Sequence, residues 1–265
     1  MRTSRRALVA GGVLGAGALA AAGVSRALDP TPRGLDGRAW RLVWREEFDG
    51  PLDPQVWLPL RGTREFPYRT PFNASLDDSS FSADHVEVSG GSLRIRWTPR
   101  ASTVGSTTYP YTTGLATTAP GFAFQYGVCE IRAFVPAASG IAPAFWMLPL
   151  PVNAWPPEID LAEFTTSAGG QVDVRFNVHW HPGADGQIAG FPVYGSDVGD
   201  AWHTYTLVWE ADRMSVLLDG VTRYEYTGEG IPQQPMYLVL SGGVLRGATP
   251  AAGEVRVDHV RVWQR

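Results

Sequence analysis

The sequence predicts an all-β chain folded as a two-sheet sandwich, and three observations carry that prediction. Thirty Gly and 21 Pro punctuate the 265 residues, so no apolar pattern at three-four spacing runs long enough for a helix. Short β-branched or alternating runs recur in their place. Turn pairs stand between such runs, Gly90-Gly91 and Asp219-Gly220 among them, in the form of two-residue hairpins. A hydrophobic content of 44% with 18% charged residues excludes a disordered chain. No internal repeat or linker divides the sequence, so a single domain is expected.

Residues 1–27 read as an export signal and not as part of the fold. Thr3-Ser4-Arg5-Arg6-Ala7-Leu8-Val9 is a twin-arginine pattern that leads into an apolar run rich in Ala and Gly. The run ends near Ser25-Arg26-Ala27, where small residues suit a signal peptidase. Five Gly and then Arg26 interrupt it, which speaks against a retained membrane span. Cys129 is the single cysteine, so an intrachain disulfide is excluded and no lipid anchor is provided for at the cleavage point. The expectation is a secreted bacterial protein, monomeric, with one domain over 28–265 and no membrane insertion once the signal is removed. All 22 basic residues are Arg, and without the four in the first 27 residues 18 Arg face 26 acids, a charge of −8. That balance, with no basic run, excludes nucleic acid as the main partner.

The expected strands follow in chain order as Ser92–Trp97, Val128–Val135, Val172–Trp180, Thr204–Glu210, Met214–Leu218, Tyr237–Leu240 and Val255–Trp263. Within Val172–Trp180, period-two alternation places Val172, Val174, Phe176, Val178 and Trp180 on one side. Asp173, Arg175, Asn177 and His179 fall on the other, as solvent surface or as the lining of a site.

Three carboxylates stand within six residues in Glu158-Ile159-Asp160-Leu161-Ala162-Glu163. In a regular strand Glu158 and Asp160 share a face while Glu163, five residues on, points away. One β-bulge near Leu161-Ala162 inserts a residue and returns Glu163 to that face. Two Glu so placed can approach the ~5–5.5 Å separation of a retaining glycosidase, and stacked like charges raise the pKa of one member. A calcium-binding or merely solvated acidic patch is the alternative reading of these residues alone. Trp146, Trp155 and Trp180 flank the carboxylates among ten Trp, and exposed indole beside carboxylates suits the apolar faces of sugar rings.

These segments together resemble glycoside hydrolase family 16, the concanavalin-like jelly-roll enzymes that include laminarinases. Glu158-Ile-Asp160-Leu-Ala-Glu163 is similar to the bulged form of the family signature. Leu42–Gly50 with Leu52-Asp53 and Trp57 resembles its opening strand. Tyr126–Arg132 and Pro143–Trp146 resemble the strands before the signature, and Trp202–Tyr205, Asp219-Gly220 and Val257–Val262 its closing segments. The resemblance implies two antiparallel sheets with a substrate cleft on the concave face. It implies a nucleophile at Glu158, a general acid/base at Glu163 and a supporting role for Asp160. Trp146, Trp155, His179, Trp180, Asn177 and Arg175 become candidate substrate contacts, with His179 touching either the substrate or Glu163. No cofactor is needed for catalysis, but a structural Ca²⁺ is implied at Glu47, the backbone of Gly91, and Asp258. Ala142, Pro157, Ser241 and His85 depart from the family pattern. The expected activity is endo-hydrolysis of a β-1,3- or β-1,3/1,4-glucan by double displacement. A galactan or agar-type substrate, a transglycosylase and a non-catalytic lectin on the same sandwich are the alternatives.

Overall fold

A computed structural model describes residues 32, 35, 40–167, 169–180, 188–189 and 193–265. The expected signal at 1–27 lies outside the described residues. Two sheets account for nearly all the regular structure. The larger has ten strands, in the order Val221–Tyr226, Met214–Leu218, Ala201–Trp209, Gly127–Val135, Gly253–Gln264, Leu93–Thr98, Tyr111–Thr113, Ser79–Phe81. Arg41–Glu46 pairs beside Gly253–Gln264, and Val86–Val88 beside Leu93–Thr98. The smaller has seven, in the order Leu115–Thr117, Met236–Ser241, Ala144–Pro149, Glu158–Thr166, Val172–His179, Ile188–Ala189, with Val193–Ser196 also on Val172–His179. Pairing is antiparallel throughout these sheets except for Ser79–Phe81 against Tyr111–Thr113, which run parallel. The expected strands all form, within a few residues of their predicted ends. Among the described residues a single 3₁₀ turn, Ala83–His85, interrupts them, and no helix is long and apolar enough to cross a membrane.

Both turn pairs form tight hairpins because their residues accept positive φ. Asp219 (54°) and Gly220 (80°) connect Leu218 to its partner Val221, and Gly90 (61°) and Gly91 (70°) connect Ser89 to Ser92.

The core lies between the sheets and is built by alternation from both. Ile95, Trp97, Cys129, Ile131, Leu207, Trp209, Val257 and Val260 face it from the ten-stranded sheet. Phe145, Met147, Ile159, Leu161, Phe164, Val174, Phe176 and Leu238 face it from the seven-stranded sheet. Burial of apolar side chains at ~1.5–3 kcal/mol each is what fixes the two sheets face to face. The seven-stranded sheet therefore has one committed side, and the opposite side is free to carry a site.

Candidate active site

The strand Glu158–Thr166 breaks its alternation once. Ile159, Leu161, Ala162 and Phe164 all face the core, so Leu161 and Ala162 are consecutive inward residues. The register records the extra residue on both sides, between Asp160 and Glu163 against Asn177 and Arg175, and between Trp146 and Phe145 on the other neighbour. That bulge puts Glu158, Asp160 and Glu163 together on the outward side, where all three line one cavity of about 720 Å³. A buried side chain attends the irregularity: the Tyr194 hydroxyl donates to the Leu161 carbonyl at 2.8 Å. The ladder resumes with Phe164 N–H donating to Pro143 O at 3.1 Å.

Each carboxylate has its own partner. Trp155 Nε1–H donates to Glu158 Oε2 at 2.7 Å. His179 Nε2 lies 3.1 Å from Asp160 Oδ2 and 3.9 Å from Glu158 Oε1. Asn177 Nδ2–H donates to Glu163 Oε2 at 2.7 Å, while its Oδ1 is buried with no partner. His179 therefore serves Glu158 and Asp160, and the contact with Glu163 belongs to Asn177. Burial pushes Glu158 well above the usual carboxylate range, and the neighbouring Asp160 charge adds to it. Burial, with the charge of Glu163, pushes Asp160 up to about 7. Two acids so close titrate as a pair, and together they hold a proton into the neutral range.

The aromatic residues divide. Trp155 is about half exposed at the cavity rim. Trp146 lines the cavity but is only 7% exposed; its Nε1–H donates to Ser241 Oγ at 3.1 Å, and Phe72 meets it edge-on at 4.6 Å. Trp180 departs from its assignment as a substrate contact. It packs with the core, and its ring lies where a Cβ on Gly230 would fall, at 2.3 Å. Its place follows from alternation, one residue past His179 and therefore on the other side. Arg175 stands opposite Glu163 in register, outside the cavity wall. His85, another position noted in the sequence, is buried against Thr98 Oγ1 at 2.9 Å, away from the cavity.

Residues 61–77 supply a wall that the sequence reading missed. Arg61 Nη1 donates to the carbonyls of Thr70 and Pro71, and its guanidinium lies 4.0 Å from the centre of the Phe72 ring. Phe72, at 41% exposure, and Leu76, at 61%, thereby face the cleft with Asn73 between them. The signal for them was large apolar residues in a loop rich in Arg and Pro.

The residues implied for calcium lie on the other sheet and do not fit the ion. Arg261 donates from Nε and Nη2 to both oxygens of Glu47, at 2.7 and 2.8 Å. Asp258 Oδ2 is shared by His259 Nδ1 at 3.0 Å and Arg132 Nη1 at 3.2 Å. Cations already hold both oxygens of Glu47 and Oδ2 of Asp258, whereas Ca²⁺ takes six to eight oxygens. Glu130 joins the same cluster, 3.2 Å from His259 Nε2. Burial alone would lower the His259 pKa, but its hydrogen bonds to Asp258 and Glu130 raise it.

Comparison with known proteins places this geometry. The family model described as "Glycosyl hydrolases family 16" matches residues 74–261. Glucan endo-1,3-beta-glucosidase A1 of Niallia circulans is 28% identical over 89% of this chain and 39% of its own length. An endo-1,3-1,4-beta-glycanase of Rhizobium meliloti is 26% identical over 83% of this chain and 47% of its own. The chain thus spans less than half the length of either relative. The laminarinase catalytic domain of Thermotoga maritima superposes with a TM-score of 0.70 at 25% identity, covering 86% of this chain and 99% of that one.

Proposed function

The chain belongs to glycosyl hydrolase family 16, and on that premise we propose that it is a secreted endo-acting glycosidase that cleaves internal β-1,3 or mixed β-1,3/1,4 linkages of a glucan with retention. The observation that carries the reading is the bulge, which gathers three carboxylates in a cleft bordered by indole and phenyl rings. The named activities of the two relatives and of the structural neighbour support the β-glucan as substrate.

The reaction runs as a double displacement. The Glu158 carboxylate attacks the anomeric carbon as the bond to the leaving sugar breaks, and Glu163 in its acid form delivers a proton to the departing oxygen. Glu163, now a carboxylate, takes a proton from water, which attacks the same carbon and releases Glu158. Asp160 takes the proton that the pair holds, so Glu158 attacks as the anion. Trp155 N–H and protonated Asp160 then give that anion two donors. Asn177 aims Glu163 by holding Oε2, which leaves Oε1 for the glycosidic oxygen. Trp155, Phe72 and Leu76 offer apolar surface to sugar rings. The twin-arginine pattern at residues 3–9 supports export, and the absence of any possible disulfide is compatible with folding before translocation.

Reducing-end release from laminarin, barley mixed-linkage glucan, xyloglucan, agarose and an arabinogalactan tests the reading, with Glu158→Gln as control. Cleavage of the first two, abolished in the variant, is the expected result. Cleavage of agarose or the arabinogalactan alone would move the substrate to a galactan, and retention on a polysaccharide without cleavage would make the chain a lectin.

A further inference from the structure

The strand Val172–His179 has an irregular neighbour on each side. Against Glu158–Thr166 the register passes from Asp160–Asn177 to Glu163–Arg175, one residue too many on the carboxylate strand. Against Val193–Ser196 it passes from Val174–Gly195 to Arg175–Val193, so Tyr194 is an extra residue there. The two bulges lie across the strand from each other and are joined on its core side. Tyr194, 5% exposed, stands in the core between the sheets, and its hydroxyl donates to Leu161 O at 2.8 Å.

Leu161 is the residue that most needs such a donor. It has no register partner on either neighbouring strand: Phe145 stands opposite Ala162, Trp146 opposite Asp160, and Val172–His179 passes from Asp160 to Glu163. A buried carbonyl without a donor costs more than an ordinary hydrogen bond contributes, so native backbones avoid it. Without the phenol, the chain sheds that orphan only by reshaping the bulge, and Glu163 is two residues farther on. Tyr205 supplies the contrast. It is a second phenol in the same core, packed on Phe145 and Phe164, and its hydroxyl is buried with no partner among the described residues. Of these two phenols, Tyr194 is the one bonded to the carboxylate strand.

We propose that the Tyr194 hydroxyl is a positioning group for the acid/base: by holding the Leu161 carbonyl it fixes the bulge, and with it the place of Glu163 beside Glu158 and Asp160. The bond stands on the geometry; the consequence for rate rests on the role given above to Glu163.

Tyr194→Phe removes the hydroxyl and keeps the ring, and Tyr205→Phe is its control. Two substrates separate positioning from folding. Laminarin needs a proton on its leaving sugar, whereas dinitrophenol leaves a β-laminaribioside as a stable anion without one. In Tyr194→Phe, kcat/KM on laminarin should fall about 10²-fold, the loss expected of a group misplaced by about 1 Å, while kcat/KM on the aryl glycoside is nearly retained. Tyr205→Phe should retain both. Thermal melts establish that each variant is folded. If Tyr194→Phe is not, Gly195→Ala takes its place. A methyl there would come within 2.7 Å of Leu218 Cδ2 and 2.9 Å of Val174 Cγ1, displacing the strand of Tyr194 while its hydroxyl remains, and the same asymmetry is expected. Equal loss on both substrates, no loss, or the same asymmetry in Tyr205→Phe overturns the proposal. A wild-type protein that cleaves neither substrate overturns the hydrolase reading, and crystal structures then test the positioning. Tyr194→Phe should lose the Glu163–Asn177 contact that Tyr205→Phe keeps; an unaltered bulge overturns the proposal.

Discussion

Each side of the sandwich gathers three carboxylates around a histidine, and the two clusters are held differently. On the ten-stranded sheet, Glu47, Glu130 and Asp258 meet Arg261, Arg132 and His259, so each negative charge has a cationic partner. On the seven-stranded sheet, Glu158, Asp160 and Glu163 meet an indole N–H, one histidine and an amide. The first arrangement commits both oxygens of Glu47 and one each of Glu130 and Asp258 to side chains of neighbouring strands. The second is buried without such cations, and burial first, with the neighbouring carboxylates adding to it, drives Asp160 to about 7 and Glu158 upward, so that the pair retains a proton beside the reacting groups. What separates a structural cluster from a chemical one is the supply of cations, because the number of carboxylates is equal.

Several experiments break or sharpen that contrast. The largest effect belongs to Glu158→Gln and Glu163→Gln, expected to lower kcat on laminarin by at least about 10³-fold with no fall in melting temperature. A loss of stability that tracked the loss of rate would put these residues in the structural class. Arg261→Ala should do the reverse, costing about 3–5 kcal/mol in denaturant unfolding because Glu47 loses its partner, with kcat/KM of the folded fraction retained. Asp160→Asn should stabilise the fold, by up to about 4 kcal/mol near pH 8 and by little near pH 4. An acid whose folded pKa exceeds its unfolded value binds more protons folded, so its native state loses stability as pH rises between the two. Equal melting shifts at both pH values would place the Asp160 pKa in the ordinary range.

His259 gives a smaller pH effect. Its folded pKa is raised, so its pairing stabilises fully below the unfolded value of about 6.5 and is lost as pH rises through the folded one. The wild-type melting temperature should decline over that alkaline window, and His259→Gln should flatten the decline. The smallest effect is none at all: EDTA and added Ca²⁺ should leave the melting temperature unmoved, since Arg261, Arg132 and His259 stand where the ion would. A rise in melting temperature with Ca²⁺ would reopen that face as an ion site.

The two clusters also differ in how far the sequence discloses them. The carboxylates of the cleft lie within six residues, and the parity of a strand with one bulge is enough to predict that they share a side. Alternation likewise assigns Trp180 to the side opposite His179, as found. The partners are another matter. Whether His179 reaches Asp160 or Glu163 depends on the register of two strands and the rotamer between them, which local periodicity does not encode. Arg261 and Glu47 lie 214 positions apart, and Phe72 and Leu76 come from an irregular loop whose path follows from Arg61 binding its carbonyls. Nothing in the sequence around Tyr194 announces its bond to Leu161. Short-range spacing reveals the reactive groups, and tertiary pairing decides what restrains them.

The bulge at Leu161-Ala162 makes the site a matter of counting. Removing one residue there restores simple alternation and leaves Glu158, Asp160 and Glu163 on the outward side, with one core side chain fewer. Removing Ile159 instead turns Glu158 inward relative to the other two, and removing Phe164 reverses the strand beyond Glu163. The facing of the three carboxylates is therefore unchanged by the loss of one residue at the bulge and reversed by its loss on either side, so insertions and deletions, more than substitutions, mark the boundary of the reactive segment.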